Sequence, residues 1–517
     1  MSRNQEIAVL VFIIVLGVGA RWWGLGSRSY SFDEMQTAVT ASQPPVKVAE
    51  LAMNQERKAP LFHYLMYPWL SVSRDETWAR MPPAFFGALM IPFAWLLARE
   101  AVPKRKSEIA LLTALIVALN PALIFYSQQV RMYTALGAAS LLNMYFFLRA
   151  ARAFAAGESE AQGRTAAKMT AAFLVTGLVS SLLHPFYALL AAGEAMTAAV
   201  WLWRKWDKAL GLAFIAIFAA GPGLIMRGGE MSEAGGAFRA VNVLDPFNVF
   251  RHMAILYPTP SPMTGLRDAV DRMTSGALPW HVALTVGAGA LIFGALFIAG
   301  VFSRQVWRVK AALLLFLLAP LGIMLALSPW KPSFFNPRFM MNVYPAFSLF
   351  VALGMTALPW RGARPTAAAL VIALSLVSIG YYNFDRDYDN RHTREAAAYL
   401  REHAEVKHII HASCATYFSS YFYNRGALGE RILAPELLTL QEGGEMVKAC
   451  PPGIALRIED VVRPREEFFL VLPEPTKDRS EEEGADKALG RFIGGNYNVL
   501  ERKPFFGVVV YRVKRLS

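Results

Sequence analysis

Cysteine is almost missing from this chain of 517 residues, which has two, Cys414 and Cys450. No His or Cys residues show the spacing of a zinc site. A phosphate-binding glycine loop, a G-x-S-x-G elbow and a dinucleotide fingerprint are also absent from any strand–turn–helix context. That argues against a nucleotide-bound donor and against an ATP-driven pump. There is no internal repeat and no low-complexity segment. A transporter built on symmetry about a midplane site would show a repeat. No small-residue cleavage site follows the first apolar segment, residues 7–24. Arg21-Trp22-Trp23 reads as its interfacial end, so the segment is expected to be a retained helix and not a signal peptide.

Apolar residues are abundant. They make up 55% of the chain, with mean hydropathy +0.33, and they recur in runs long enough to span a bilayer. A soluble domain does not repeat stretches of ~18 residues or more. The sequence predicts a polytopic α-helical membrane protein with about 11 transmembrane helices. They fall near 7–24, 82–99, 108–126, 132–149, 168–183, 186–203, 209–226, 279–302, 310–328, 338–358 and 365–382. The formal net charge is +13, yet the basic residues form no single patch, so no nucleic-acid partner is expected. Instead they sit in short connections: Lys104-Arg105-Lys106, Arg149/Arg152/Arg164/Lys168, Arg204-Lys205/Lys208, Arg304/Arg308/Lys310 and Arg361/Arg364. A cytoplasmic N-terminus puts every one of these inside, as the positive-inside bias requires.

Three long segments then lie outside, 25–81, 227–278 and 383–517. The first reads as one or two amphipathic helices on the membrane surface, with Trp69 and Trp78 as interfacial anchors. The second reads as a loop with one helix. In the third, helical pattern over Thr393–Glu405 precedes short β-prone runs at 408–412, 468–472 and 506–513, which predicts a small extracytoplasmic α/β domain. The domains are therefore expected at 1–382 and 383–517. Both cysteines fall in the second. A Cys414–Cys450 disulfide is the expectation there, against two buried thiols.

Ser31-Phe32-Asp33-Glu34 lies just past the first span. Ser31-x-x-Glu34 matches a helix capping box, which occupies Glu34 and leaves Asp33 to face a cavity. Two carboxylates beside a membrane helix are costly to desolvate and point to a function.

Further motifs follow in order: Ala59-Pro60-Leu61-Phe62-His63-Tyr64, Arg80-Met81-Pro82, Asn120-Pro121 through Arg131-Met132-Tyr133, and Asn336-Pro337-Arg338-Phe339. Together they resemble the GT-C glycosyltransferases of the protein O-mannosyltransferase and aminoarabinose-transferase superfamily, over about residues 5–360. The resemblance implies a GT-C fold and an inverting transferase that takes a sugar from a polyprenyl-phosphate-linked donor. It implies a first-loop Asp as base, here Asp33, with Glu34 beside it. The acceptor would be a protein, lipid or glycan. Location in a bacterial inner membrane, with the active site facing the periplasm, fits this architecture. A transporter or flippase for a lipid-linked or glycan substrate is the competing class.

The leaving group of such a reaction is a lipid phosphate. Arg131, at the outer junction of the third and fourth spans, is a candidate to bind it, against an ordinary arginine snorkelling to lipid. Arg338 has a similar claim, and Lys331 is nearby. His63, Tyr64 and Tyr133 are candidate substrate contacts, as is His184 at the Pro-broken junction His184-Pro185-Phe186; a lone histidine near aromatics is more often structural. A divalent ion held by Asp33-Glu34 stays open.

Overall fold

A computed structural model describes residues 2–54, 58–102, 106–156, 159–226, 245–255, 274, 280–305, 307–327, 341–360, 362–384, 391–433, 454–455, 457–474 and 485–516. The chain divides into two compact units. One is built from Met1–Trp23, Arg80–Ser232 and Gly236–Phe384; the other joins Gly24–Ala79 to Asp385–Ser517. The first outer segment therefore packs with the C-terminal residues.

The membrane unit is all helical. Its elements are α1 (Arg3–Trp22), α5 (Glu76–Ala101), α6 (Lys106–Leu119), α7 (Pro121–Ser127), α8 (Tyr133–Ala156), α9 (Glu160–Leu183) and α10 (Tyr187–Trp201). They continue with α11 (Trp206–Met226), α12 (Asp245–Ile255), α13 (Trp280–Val301), α14 (Trp307–Leu327), α15 (Tyr344–Ala357) and α16 (Ala363–Phe384). Every expected span contains a helix, but among the described residues seven are long and apolar enough to cross a membrane. They are α1, α5, α9, α11, α13, α14 and α16; α6 and α7, bent by 54°, would make an eighth. The other three differ for physical reasons. α10 and α15 have 15 and 14 residues, about 21–23 Å at 1.5 Å per residue, short of the hydrocarbon thickness. α8 is long enough but carries Thr134, Ser140 and Asn143 on a buried face. The chain is a multi-pass membrane protein, with these shorter or more polar helices in its interior.

The second unit, called outer because the sequence places its segments outside, holds α2 (Phe32–Ala41), α3 (Pro45–Asn54) and α4 (Leu61–Val72), then α17 (Thr393–Glu402), α18 (Cys414–Tyr423) and α19 (Ala485–Phe492). Its strands are β1 (His408–His411), β2 (Glu430–Leu433), β3 (Ile454–Ala455), β4 (Glu467–Pro473), β5 (Tyr497–Phe505) and β6 (Val508–Arg515). They form one sheet in the order β3-β2-β1-β4-β6-β5. β1 to β4 run parallel, while β6 pairs antiparallel with both β4 and β5. The β5–β6 connection turns through Gly507 at φ 72°, a conformation that costs glycine nothing.

β4 is apolar on both faces because both are covered. Phe468, Leu470 and Leu472 pack with Ile410, Val509 and Tyr511 on one side; Phe469 and Val471 pack with Ile409, Val510 and the α17 residues Tyr399 and Leu400 on the other. That is the composition of a buried parallel strand. The four expected elements of this domain, the helix and the three strands, are present, shifted at their ends by a few residues. β5 was not anticipated: all but its end residues are exposed, so it lacks the apolar alternation that betrays a strand.

The first outer segment forms three helices where one or two were expected. Its tryptophans do not spend their polar ends on the membrane interface. Trp69 and Trp78 stack at 4.3 Å and each indole N–H donates to the other's carbonyl, at 2.7 and 2.9 Å.

Candidate functional site

In the membrane unit the candidate site begins at a helix break. Pro121 has no N–H to continue α6, and the Asn120 side chain caps α7 by accepting from the Leu123 N–H at 2.9 Å. The carbonyls left at the end of α6 are taken by Arg21, which donates to Val117 and Ala118 at 3.1 and 2.9 Å and to Gly17 at 2.9 Å. A guanidinium at a helix C-terminus also meets the negative end of the dipole. Arg21 is therefore buried, not interfacial as the sequence suggested; the exposed residue of that trio is Trp23. Gly87 makes room for it, since a Cβ there would meet Ser127 Oγ at 2.0 Å and Arg21 Nε at 3.1 Å. The end of α1 is tied in turn by Gln128, whose amide donates to the Arg21 and Trp23 carbonyls and accepts from Tyr382.

This frame presents the turn between α7 and α8, where Arg131 sits 2% exposed. Its guanidinium lies 5.8 Å from the Tyr133 ring. Tyr133 touches two further rings, Tyr126 at 5.4 Å and His184 at 6.3 Å. His184 ends α9 and stacks on Phe186; its Nδ1 accepts from the Phe186 N–H at 3.1 Å, which leaves Nε2 carrying the proton. Tyr126 approaches His252 at 3.5 Å, and His252 Nδ1 lies 2.6 Å from the Tyr344 hydroxyl. Burial, with the charge of neighbouring Arg251 adding to it, pushes the His252 imidazole down to about 3, so it stays neutral. Arg251 is itself 6% exposed.

Three sequence candidates, Arg131, Tyr133 and His184, thus come together. Tyr126, His252 and Tyr344 join them without having been chosen, and buried Arg251 is the neighbour of His252. Tyr126 lies inside the 120–133 motif and could have been found there; His252 and Arg251 stand in α12, within the long segment 227–278 where no motif marks them. Arg338 and Lys331 lie outside the described residues, as does Cys450. Cys414 is buried at the start of α18.

The other candidates belong to the outer unit. The Ser31 capping box forms as expected: Ser31 Oγ accepts from the Glu34 N–H at 3.4 Å and Glu34 Oε2 accepts from the Ser31 N–H at 2.9 Å. Glu34 is buried at 1%. Asp33, one residue earlier, is half-buried on the first turn. His63 is buried within α4. Tyr64 donates to the Pro45 carbonyl at 3.1 Å and so joins α4 to α3. Among the described residues no three His, Cys, Asp or Glu side chains gather as a metal site.

Residues 49–222 match the sequence model of the dolichyl-phosphate-mannose-protein mannosyltransferase family, which bears out the resemblance seen in the motifs. No curated protein sequence matches the chain. Its fold is that of ArnT from Cupriavidus metallidurans. The crystal structure of ArnT bound to undecaprenyl phosphate is 13% identical, with TM-score 0.61 over 99% of this chain and 98% of that one. The apo state of ArnT gives 0.60 at the same identity and coverage. The apo Archaeoglobus fulgidus oligosaccharyltransferase is also similar, 12% identical, with TM-score 0.48 over 83% of this chain and 64% of that one.

Proposed function

We propose that this protein is an inverting glycosyltransferase that moves a sugar from a polyprenyl-phosphate carrier to an acceptor hydroxyl at the outer face of the membrane. The observation that carries the reading is the division of labour at Asp33-Glu34. The capping box is made by Ser31 and Glu34, and Asp33, a half-buried carboxylate on the same turn, takes no part in it. The likeness to the mannosyltransferase family and the ArnT fold supports the donor class, since ArnT has been seen with undecaprenyl phosphate.

In this reading Asp33 accepts the proton of the acceptor hydroxyl as its oxygen attacks the anomeric carbon. The bond from that carbon to the phosphate oxygen breaks, the configuration inverts, and the polyprenyl phosphate leaves carrying the bonding electron pair. Arg131 meets the developing phosphate charge with a planar fork that can bind two oxygens. Arg251, next to His252 in α12, is a second buried cation. Tyr133, Tyr126, Tyr344 and neutral His252 supply hydroxyl and ring surfaces suited to a sugar.

The test is the pool of lipid-linked sugars, measured by mass spectrometry in cells lacking the protein, cells with it restored, and cells carrying Asp33→Asn at equal abundance. One lipid-linked sugar should accumulate in both the null and the Asp33→Asn cells. Accumulation in the null alone would keep the class and move the base elsewhere; unchanged pools would favour the transporter reading.

A further inference from the structure

α2 has 10 residues, too few for a helix to hold itself in water. Its order comes from what it packs against. Within the outer unit that support comes from α3 and α4 and, at the N-terminal end of α2, from residues far later in the chain. The Tyr423 hydroxyl accepts the Tyr30 N–H at 2.9 Å and donates to Glu76 Oε1 at 2.7 Å. Tyr30 immediately precedes Ser31, the N-cap of α2. Glu76 is 3% exposed, and its ion partner is Arg394 at 3.3 Å. The same guanidinium donates to the carbonyls of Gly26 and Ser27 at 3.1 and 3.4 Å, and to Glu395 at 3.0 Å. Ser29 closes the set: its hydroxyl donates to Glu395 at 3.1 Å and accepts the Arg394 N–H at 3.4 Å.

The rings reinforce these bonds. Tyr30 meets Phe422 edge-on at 5.4 Å, and Phe32, the first residue of α2, lies 6.5 Å from Phe418. Thus residues 26–32 are fastened by backbone and side chain to α17 and α18. Burial, followed by the Glu76 charge, holds the Tyr423 phenol well above its ordinary range, so it keeps the proton it donates.

We propose that Tyr423, braced by Glu76 and Arg394, is a positioning residue: it fixes the backbone at Tyr30-Ser31 and so aims the first turn of α2, on which Asp33 stands. The inference rests on the reading of Asp33 as the base. A base must reach the acceptor proton within hydrogen-bond distance, and a displacement of ~1 Å can cost on the order of a hundredfold in rate. A carboxylate on the first turn of so short a helix needs an external fixture of this kind. The C-terminal residues of the outer unit provide it.

Tyr423→Phe removes the hydroxyl and keeps the ring, and Glu76→Gln keeps an acceptor and removes the charge. Two measurements are made on each full-length variant. One is amide hydrogen exchange over residues 30–35 in detergent. The other is the rate at which accumulated lipid-linked sugar is drawn down in cells, per folded protein. Tyr423→Phe should exchange roughly tenfold faster at Tyr30 and the first turn, as expected for loss of a charge-assisted bond. Its drawdown should slow on the order of tenfold. The pool level giving half-maximal drawdown should stay unchanged, because donor binding is untouched; a merely structural role would lower abundance and leave the rate per folded molecule intact. Glu76→Gln should fall between Tyr423→Phe and wild type. Unchanged exchange in both variants overturns the proposal. So does faster exchange with wild-type drawdown, provided Asp33→Asn is inactive. If Asp33→Asn is itself active, the base assignment has failed, and the exchange result alone upholds or overturns the fastening.

Discussion

At the scale of single residues, two buried arginines, one expected at a helix end in the interface and the other at the donor phosphate, have different surroundings. Arg21 spends its fork on three backbone carbonyls and closes a helix end. Arg131 lies buried against an aromatic ring. Arg131→Ala should raise the apparent KM for the lipid donor by roughly tenfold or more, the scale of a charge-assisted phosphate bond, with the protein still folded. Steady-state assays with purified polyprenyl-phosphate sugar would check this. Unchanged KM and kcat would remove Arg131 from the site. The capping box at Ser31 was legible because its two side chains answer each other across a fixed spacing of three. His252 and Tyr344 were not legible: they are 92 residues apart and meet only through the fold.

At the scale of elements, helices with their own apolar period were found from the sequence, while elements that depend on partners were not. β2 is one such element, since it carries Glu430, 0% exposed, into the sheet. Ser420 donates to this carboxyl, and Asn424 does so at 3.2 Å. Burial raises Glu430 to about 7 and lowers His411, on neighbouring β1, to about 3. The raised carboxyl contributes stability that is full below about 4.5 and lost as pH climbs through about 7. The depressed imidazole contributes stability that is full above about 6.5 and lost as pH falls through about 3. Between those windows the folded chain holds one proton on Glu430 and the unfolded chain one on His411, so the pair contributes no slope. Glu430→Gln should unbalance it. Relative to wild type, the variant should gain about 1.4 kcal/mol of stability per pH unit from pH 4.5 to 6.5. Hydrogen exchange of β1 and β2 in the full chain, measured at several pH values, would show it; parallel profiles would refute it.

For the whole molecule, the positive-inside pattern carries a prediction about orientation. An enzymatic reporter fused after Arg105 should be active only in the cytoplasm, and one fused after Tyr382 only outside. Equal signals at both positions would sink the topology. The membrane architecture was readable because apolar length is a local property. The composition of the outer unit was not, because nothing local in residues 24–79 announces that they pack with residues 385–517.

That pairing has a consequence for how the protein is made. The amide just before the α2 cap is bonded by a tyrosine 393 positions later. During synthesis the first outer loop leaves the ribosome long before its partners exist, and nearly the whole membrane unit is inserted in between. Contacts of such separation form late and slowly. The start of α2 therefore lacks these contacts until residues 394–423 have been made and folded. A chain interrupted before α17 would hold the membrane helices and Asp33 itself, yet lack the residues that set that turn in place. If Asp33 is the base, maturation of the site would then be timed by the end of translation.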